Sequence, residues 1–170
     1  MQQHRLFFAL WPDPAVRTAL AQLQAGISGT PTRPEKLHLT LAFLGQQPAS
    51  ALPSLCNVLD QISAQPMALQ LDIHGYFPRL RIAWAGMQSV PPALLVLRGA
   101  LMHALAAGQF VPAFEQDRFN PHVTLARKAQ PQPAAGFPPI RWLATQLVLA
   151  ESSTGTGTGV YRIVASRQLM

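Results

Sequence analysis

Two tetrapeptides 84 residues apart, His38-Leu39-Thr40-Leu41 and His122-Val123-Thr124-Leu125, repeat one pattern in opposite halves of a 170-residue chain. Each follows a loop and lies in a short run where apolar residues alternate with His and Thr, so each reads as a strand. In a strand, residues i and i+2 point to the same face. His38 and Thr40 therefore share one face, as do His122 and Thr124, while Leu39, Leu41, Val123 and Leu125 face the other way. The apolar set anchors each strand to a core and the polar set looks outward. A half-chain spacing predicts two similar lobes related by an approximate two-fold axis.

The surrounding pattern predicts an α+β chain. Leu6 to Leu10 suits a buried strand. Trp11-Pro12-Asp13-Pro14 then opens a helix, with Asp13 as N-cap and Pro14 at the first helical position, running to about Ile27. Pro31 to Pro34 reads as a loop, and the strand carrying His38 spans Leu37 to Leu44, bounded by Gly45. A second helix covers about Pro48 to Ile62. Met67 to Phe77 and Arg81 to Met87 read as a hairpin around Pro78-Arg79-Leu80, and Pro91-Pro92 opens a third helix ending near Gly108. The second motif occupies a strand from His122 to Ala126. Beyond a proline-rich loop at 131–139, Trp142 to Ala150 and Val160 to Arg167 are the last strands, joined by a polar Gly-Thr connector expected to be a mobile hairpin loop. Hairpin neighbours argue for mainly antiparallel sheets over a doubly wound parallel one. No Gly-x-Gly-x-x-Gly or P-loop pattern follows any strand, which leaves nucleotide-cofactor folds without support.

With 49% hydrophobic residues, a chain of this length supports one core, and a single domain over 1–170 is expected. No apolar run approaches the roughly 18 residues of a membrane span, and the N-terminal run is too short for a signal peptide. The expectation is a cytoplasmic protein without membrane association, acting as a monomer. A lone cysteine, Cys56, excludes an internal disulfide and a cysteine-built metal site. It reads as a small buried hydrophobe. Thirteen basic residues, 11 of them arginine, outnumber seven acidic ones for a net charge of +6. Residues 1–78 carry four of each sign, whereas 79–170 carry nine basic and three acidic groups. The whole excess thus lies in the second half, which implies an anionic partner and a basic face able to steer nucleic acid.

Two His-x-Thr faces opposed across a cleft place two imidazoles and two hydroxyls around one point, an arrangement suited to in-line displacement at phosphorus. One histidine deprotonates the incoming water and the other protonates the departing ribose oxygen, both with pKa values expected near neutrality. Thr40 and Thr124 hold the nonbridging oxygens, and Arg127, three residues beyond Thr124, is the cation candidate. The scheme calls for no metal or other cofactor, and neither motif has an acidic neighbour to complete a metal site. His4, His74 and His103 read as ordinary hydrogen-bonded residues. Phe7, Phe43, Phe77 and Trp84 read as core before base-stacking platform, and Phe7 and Phe43 are kept as the candidates for stacking. A non-catalytic module that captures RNA or a nucleotide needs cations and stacking surfaces but no matched acid and base. The second histidine is what separates the two readings.

On these residues the chain resembles the two-histidine phosphoesterases, and within them the bacterial RNA 2′,3′-cyclic phosphodiesterases, also called 2′-5′ RNA ligases (LigT-like). The resemblance runs through Arg5-Leu6-Phe7-Phe8-Ala9-Leu10, the block Leu37 to Gly45, Trp84-Ala85-Gly86-Met87, and Pro121 to Arg127. It implies a bilobal α+β fold: two mainly antiparallel sheets about a pseudo-two-fold axis, helices on the outer faces and a central cleft. It also implies hydrolysis of an RNA or oligonucleotide 2′,3′-cyclic phosphate end to a 2′-phosphate. His38 then looks like the proton donor to the leaving 3′ oxygen, His122 like the acceptor that activates water, and Arg127 like the phosphate-side arginine. The same site permits the reverse reaction, 2′-5′ ligation. The Gly-Thr connector departs from the basic residues that relatives often carry there.

Overall fold

Leu6, Phe7, Phe8, Ala9 and Leu10 are buried on both faces of the strand they form. Successive apolar residues are satisfied together only inside a sheet covered on each side. Accordingly β1 (Gln3–Leu10) lies between β3 (Leu39–Pro48) and β9 (Gln146–Ser152), antiparallel to both. The computed structural model describes residues 3–113, 119–131, 136–153 and 160–170. Most of the Gly-Thr connector, at 154–159, and part of the proline-rich loop, at 132–135, lie outside the described residues.

Helix α1 (Pro14–Gln24) starts as its cap residues dictate: the Asp13 carboxylate accepts from the Val16 N–H at 2.8 Å and Pro14 takes a first-turn position. Val16, Leu20 and Gln24 point inward at helical spacing. The helix ends at Gln24, short of the predicted Ile27, and the Gln24 side chain donates to the carbonyls of Thr32 and Leu125, at 2.7 and 2.8 Å. Helix α2 (Leu52–Gln61) follows a short 3₁₀ turn at Ala49–Ala51, and α3 (Pro92–Ala107) ends at Gly108. Leu94, Leu97, Leu101 and Leu105 of α3 are all buried, and truncating any one to alanine is worth about 2–5 kcal/mol. Among the described residues, no helix is long and apolar enough to cross a membrane.

The remaining strands are β2 (Thr30–Pro31), β4 (Met67–Leu71), β5 (Ile73–Phe77), β6 (Ile82–Gly86), β7 (His122–Arg127), β8 (Ile140–Ala144) and β10 (Tyr161–Gln168). An eight-stranded antiparallel sheet runs β10-β9-β1-β3-β7-β6-β5, with β2 beside β7, and β4 pairs separately with β8. The order contains its own symmetry. β9-β1-β3 on one side answers β5-β6-β7 on the other, and β4 leads into β5 as β8 leads into β9. The two halves meet at one register pair among the described residues, Leu39 with Val123. Helix α1 packs on β7 and β8, α2 on β9 and β10, and α3 on β3 and α2, leaving the opposite side of the sheet as the cleft. The mixed α+β class, the antiparallel pairing and the outer helices match the sequence-based expectation.

Beyond the shorter α1, three details of the strands differ from it. Met67 to Phe77 is two strands, because the chain bends at Asp72, whose carboxylate accepts from the Gln88 N–H at 2.9 Å. Trp142 to Ala150 is likewise divided at Thr145, whose carbonyl accepts from the Leu169 N–H at 2.8 Å. Strand β3 continues through Gly45 to Pro48: Gly45 takes φ +69° inside the strand and the register against β1 shifts there, a bulge rather than an end.

Candidate active site

Leu39 and Val123 are fully buried on the helical side, so the pleat turns their neighbours His38, Thr40, His122 and Thr124 to the cleft, where all four are half-buried. Opposed residues of an antiparallel pair project from the same face. The bridge between Leu39 and Val123 therefore gathers both motifs on one surface.

The two histidines are held alike. His38 donates from Nδ1 to the carbonyl of Lys36 at 2.6 Å, and His122 donates from Nδ1 to the carbonyl of Asn120 at 2.7 Å, each two residues back along the chain. A carbonyl only accepts, so each ring carries its proton on Nδ1 when neutral and presents Nε2 to the cleft. The Thr40 hydroxyl lies 2.9 Å from Nε2 of His38 and donates to it in that state.

Their surroundings differ. The ring of His38 is stacked between Phe7, at 4.8 Å and 29°, and Trp11, at 5.8 Å and 18°, with Tyr161 edge-on at 5.4 Å. His122 has Phe77 edge-on at 5.1 Å and Trp84 at 5.8 Å. Trp84 can lie flat only because Gly75, paired with it on β5, and Gly86, two residues further along β6, lack side chains: a Cβ at those positions would stand 1.9 and 2.6 Å from the indole.

Arg17, on α1, builds the His38 side. Its guanidinium lies 5.0 Å over the Trp11 ring and donates to the carbonyls of Pro12, Pro34 and Leu37, the last immediately before His38. Burial lowers the pKa of His38 to about 4, opposed by the Lys36 hydrogen bond and reinforced by Arg17, His122 and Arg127. Burial also lowers His122, against the Asn120 hydrogen bond. The expectation of a pKa near neutrality is therefore corrected for His38. Desolvation by the aromatic walls favours neutral imidazoles, and the free protein holds His38 uncharged at pH 7.

Arg127 is exposed at the end of β7, near enough for its charge to act on His38. Phe43 is half-buried, with the Arg5 guanidinium 5.0 Å over its ring. Phe7, at 3% exposure, is corrected as a base-stacking candidate, since it is buried and one face is already against His38. His4 binds Glu151 at 2.6 Å, His74 packs on Phe137 and His103 is exposed. Cys56 is half-buried against the core. Among the described residues no three His, Cys, Asp or Glu side chains come together as a metal site would require. Arg17, Trp11 and Tyr161 are site residues that sequence reasoning misses. Trp11 and Arg17 stand in the helix-entry segment, whose pattern signals only a cap, and Tyr161 lies beyond the last connector.

A family profile described as LigT like Phosphoesterase matches residues 10–84, which include the first motif. The chain is 31% identical over 167 residues to the RNA 2′,3′-cyclic phosphodiesterase of Escherichia coli, covering 94% of this chain and 93% of that protein. It is 30% identical to the protein of the same name from Thermus thermophilus, covering 94% and 87%. The crystal structure of E. coli LigT in its apo form superimposes with a TM-score of 0.85 over 99% of both chains at 29% identity. Matched in sequence and fold across nearly its full length, the chain belongs to the LigT-like phosphoesterase family.

Proposed function

We propose that this protein hydrolyses RNA 2′,3′-cyclic phosphate ends to 2′-phosphomonoesters, with His38 and His122 as its acid and base. The observation that carries the reading is the common face of β3 and β7. Two imidazoles there are each tethered through Nδ1 to a backbone carbonyl and directed through Nε2 toward the same cleft. Relatives named RNA 2′,3′-cyclic phosphodiesterase, matched over most of their length, support the substrate.

In the reaction, His122 takes a proton from water as its oxygen bonds to phosphorus. The bond from phosphorus to O3′ breaks in line, and His38 gives its proton to O3′. The hydroxyls of Thr40 and Thr124 and the charge of Arg127 act on the nonbridging oxygens, where negative charge grows. His38 must be protonated for this role. The anionic phosphate supplies the condition, because an opposite charge beside the ring favours imidazolium and offsets the desolvation that otherwise holds it neutral. The same reading has the chain acting as one two-lobed domain, a monomer in the cytoplasm.

The test is an oligoribonucleotide ending in a 2′,3′-cyclic phosphate, incubated with enzyme in EDTA and analysed by mass spectrometry and by digestion specific for 2′- or 3′-phosphate. The expected product is the 2′-phosphate, and His38→Ala and His122→Ala are each expected to lose roughly 10²–10⁴-fold in rate. Near wild-type turnover by either variant, or loss of wild-type activity in EDTA, overturns the mechanism.

A further inference from the structure

On the His122 side of the cleft a cavity of about 770 Å³ opens directly from the paired motifs, with Thr40 and His122 in its wall. That volume lies within the roughly 300–1,000 Å³ range of small-molecule sites. The acid-base chemistry uses only this edge of it. Elsewhere it is walled by three aromatic rings, Phe43, Phe77 and Phe119, and by two cations, Arg79 and Arg98.

Arg98 is built into the wall. It projects from α3, half-buried; its Nε donates to the Leu41 carbonyl at 3.3 Å and its guanidinium lies 4.5 Å over the Phe119 ring. Among the described residues no carboxylate pairs with it or with Arg79, and burial lowers its pKa. Arg79 is exposed on the turn between β5 and β6. Aromatic faces beside guanidiniums are what single-stranded nucleic acid requires: a flat surface for a base and a cation for the adjoining phosphate. A 2′,3′-cyclic mononucleotide has one base and one phosphate, and the phosphate is committed to the histidines. A longer strand brings a further base and a further phosphate.

We propose that this cavity is a second nucleoside subsite, with an RNA base against its aromatic walls and a backbone phosphate on Arg98 and Arg79, so that the protein selects oligonucleotides over cyclic mononucleotides. The inference rests on the reading of RNA as the substrate, and it adds which part of the molecule recognises more than the reacting end.

Binding tests it without turnover. A fluorescently tagged hexaribonucleotide ending in a 2′-phosphate is titrated by anisotropy into wild-type protein, Arg79→Ala and Arg98→Gln, and a 2′-phosphorylated mononucleotide is measured by competition. Circular dichroism melting establishes that each variant is folded. The expected result is that the hexamer-to-mononucleotide affinity ratio falls at least about fivefold in each variant. The dependence of log K on log salt for the hexamer should flatten by about 0.7 for each phosphate contact removed. An unchanged ratio in folded Arg79→Ala, or wild-type protein binding both ligands equally, overturns the subsite. If the ratio falls as expected but wild-type protein leaves the cyclic-phosphate hexamer intact, the hydrolytic reading fails and the subsite stands.

Discussion

Leu39 of β3 is paired directly with Val123 of β7, and both side chains are fully buried on the helical side of the sheet. This bridge lies where the two halves meet, and the proposed catalytic residues flank it on the opposite face. Leu39→Ala is predicted to cost about 2–5 kcal/mol, the range for a buried leucine truncated in a packed core. Urea unfolding measures it, and a loss under about 1 kcal/mol would show that the halves are not packed through this residue.

The pH dependence of the rate follows from the lowered pKa values. On the proposed roles, kcat/KM requires a free enzyme with a proton on His38 and a neutral His122, and with His38 lowered to about 4 that form becomes scarcer as pH rises toward neutrality. The basic limb of kcat/KM is therefore predicted on the acid side of about pH 6.5, the ordinary histidine value. The basic limb of kcat, which reports the complex, should lie at higher pH because bound phosphate lifts His38. Initial-rate profiles from acid through neutral to mildly basic pH decide this, and coincident basic limbs contradict it.

The same burial makes the fold sensitive to acid. His38 binds a proton with a pKa near 6.5 when unfolded and about 4 when folded. Between those values the unfolded state carries more protons, and stability is lost as pH falls. The loss is complete below the folded pKa and amounts to at most about 3.5 kcal/mol. His38→Gln should flatten the stability curve between those two pKa values, as read from urea midpoints. A parallel slope in the variant would mean that other groups account for the acid sensitivity.

Arg17 is a positioning residue for His38, which it reaches through the Leu37 carbonyl and the Trp11 ring. Arg17→Met is predicted to lower kcat about tenfold or more, with a smaller change in KM, since a displaced general acid loses alignment. It should also raise the His38 pKa, because a neighbouring positive charge is gone. Histidine NMR titration reads that rise, which a purely structural role for Arg17 would not produce.

The common face of the two motifs was legible in the sequence because they lie in strands, where alternate residues are bound to share a face. His-x-Thr sets the direction of four side chains before any tertiary contact is known, and Leu39, Val123 and Leu125 show which side is core. The bends at Asp72 and Thr145 were hidden, since a strand that passes from one sheet to another keeps its β-forming residues and reads as continuous. The carbonyl tethers of Lys36 and Asn120 leave no trace in residue type, because any amino acid supplies a backbone oxygen. Arg17 was hidden for another reason: its contacts with Pro34 and Leu37 span a loop that only the folded chain brings together. The depressed pKa of His38 arises from Phe7, Trp11 and Tyr161 closing around one ring, three residues from separate stretches of the chain.

Convergence of the two imidazoles on a single anion is tested most directly by following the His38 and His122 ring nitrogens in isotopically labelled protein as a 2′-phosphorylated nucleotide is added. Both pKa values should rise, and both sets of shifts should saturate at the same ligand concentration. If only one histidine responds, or if the two report different affinities, the rings do not share a phosphate and the proposed acid-base pair is wrong.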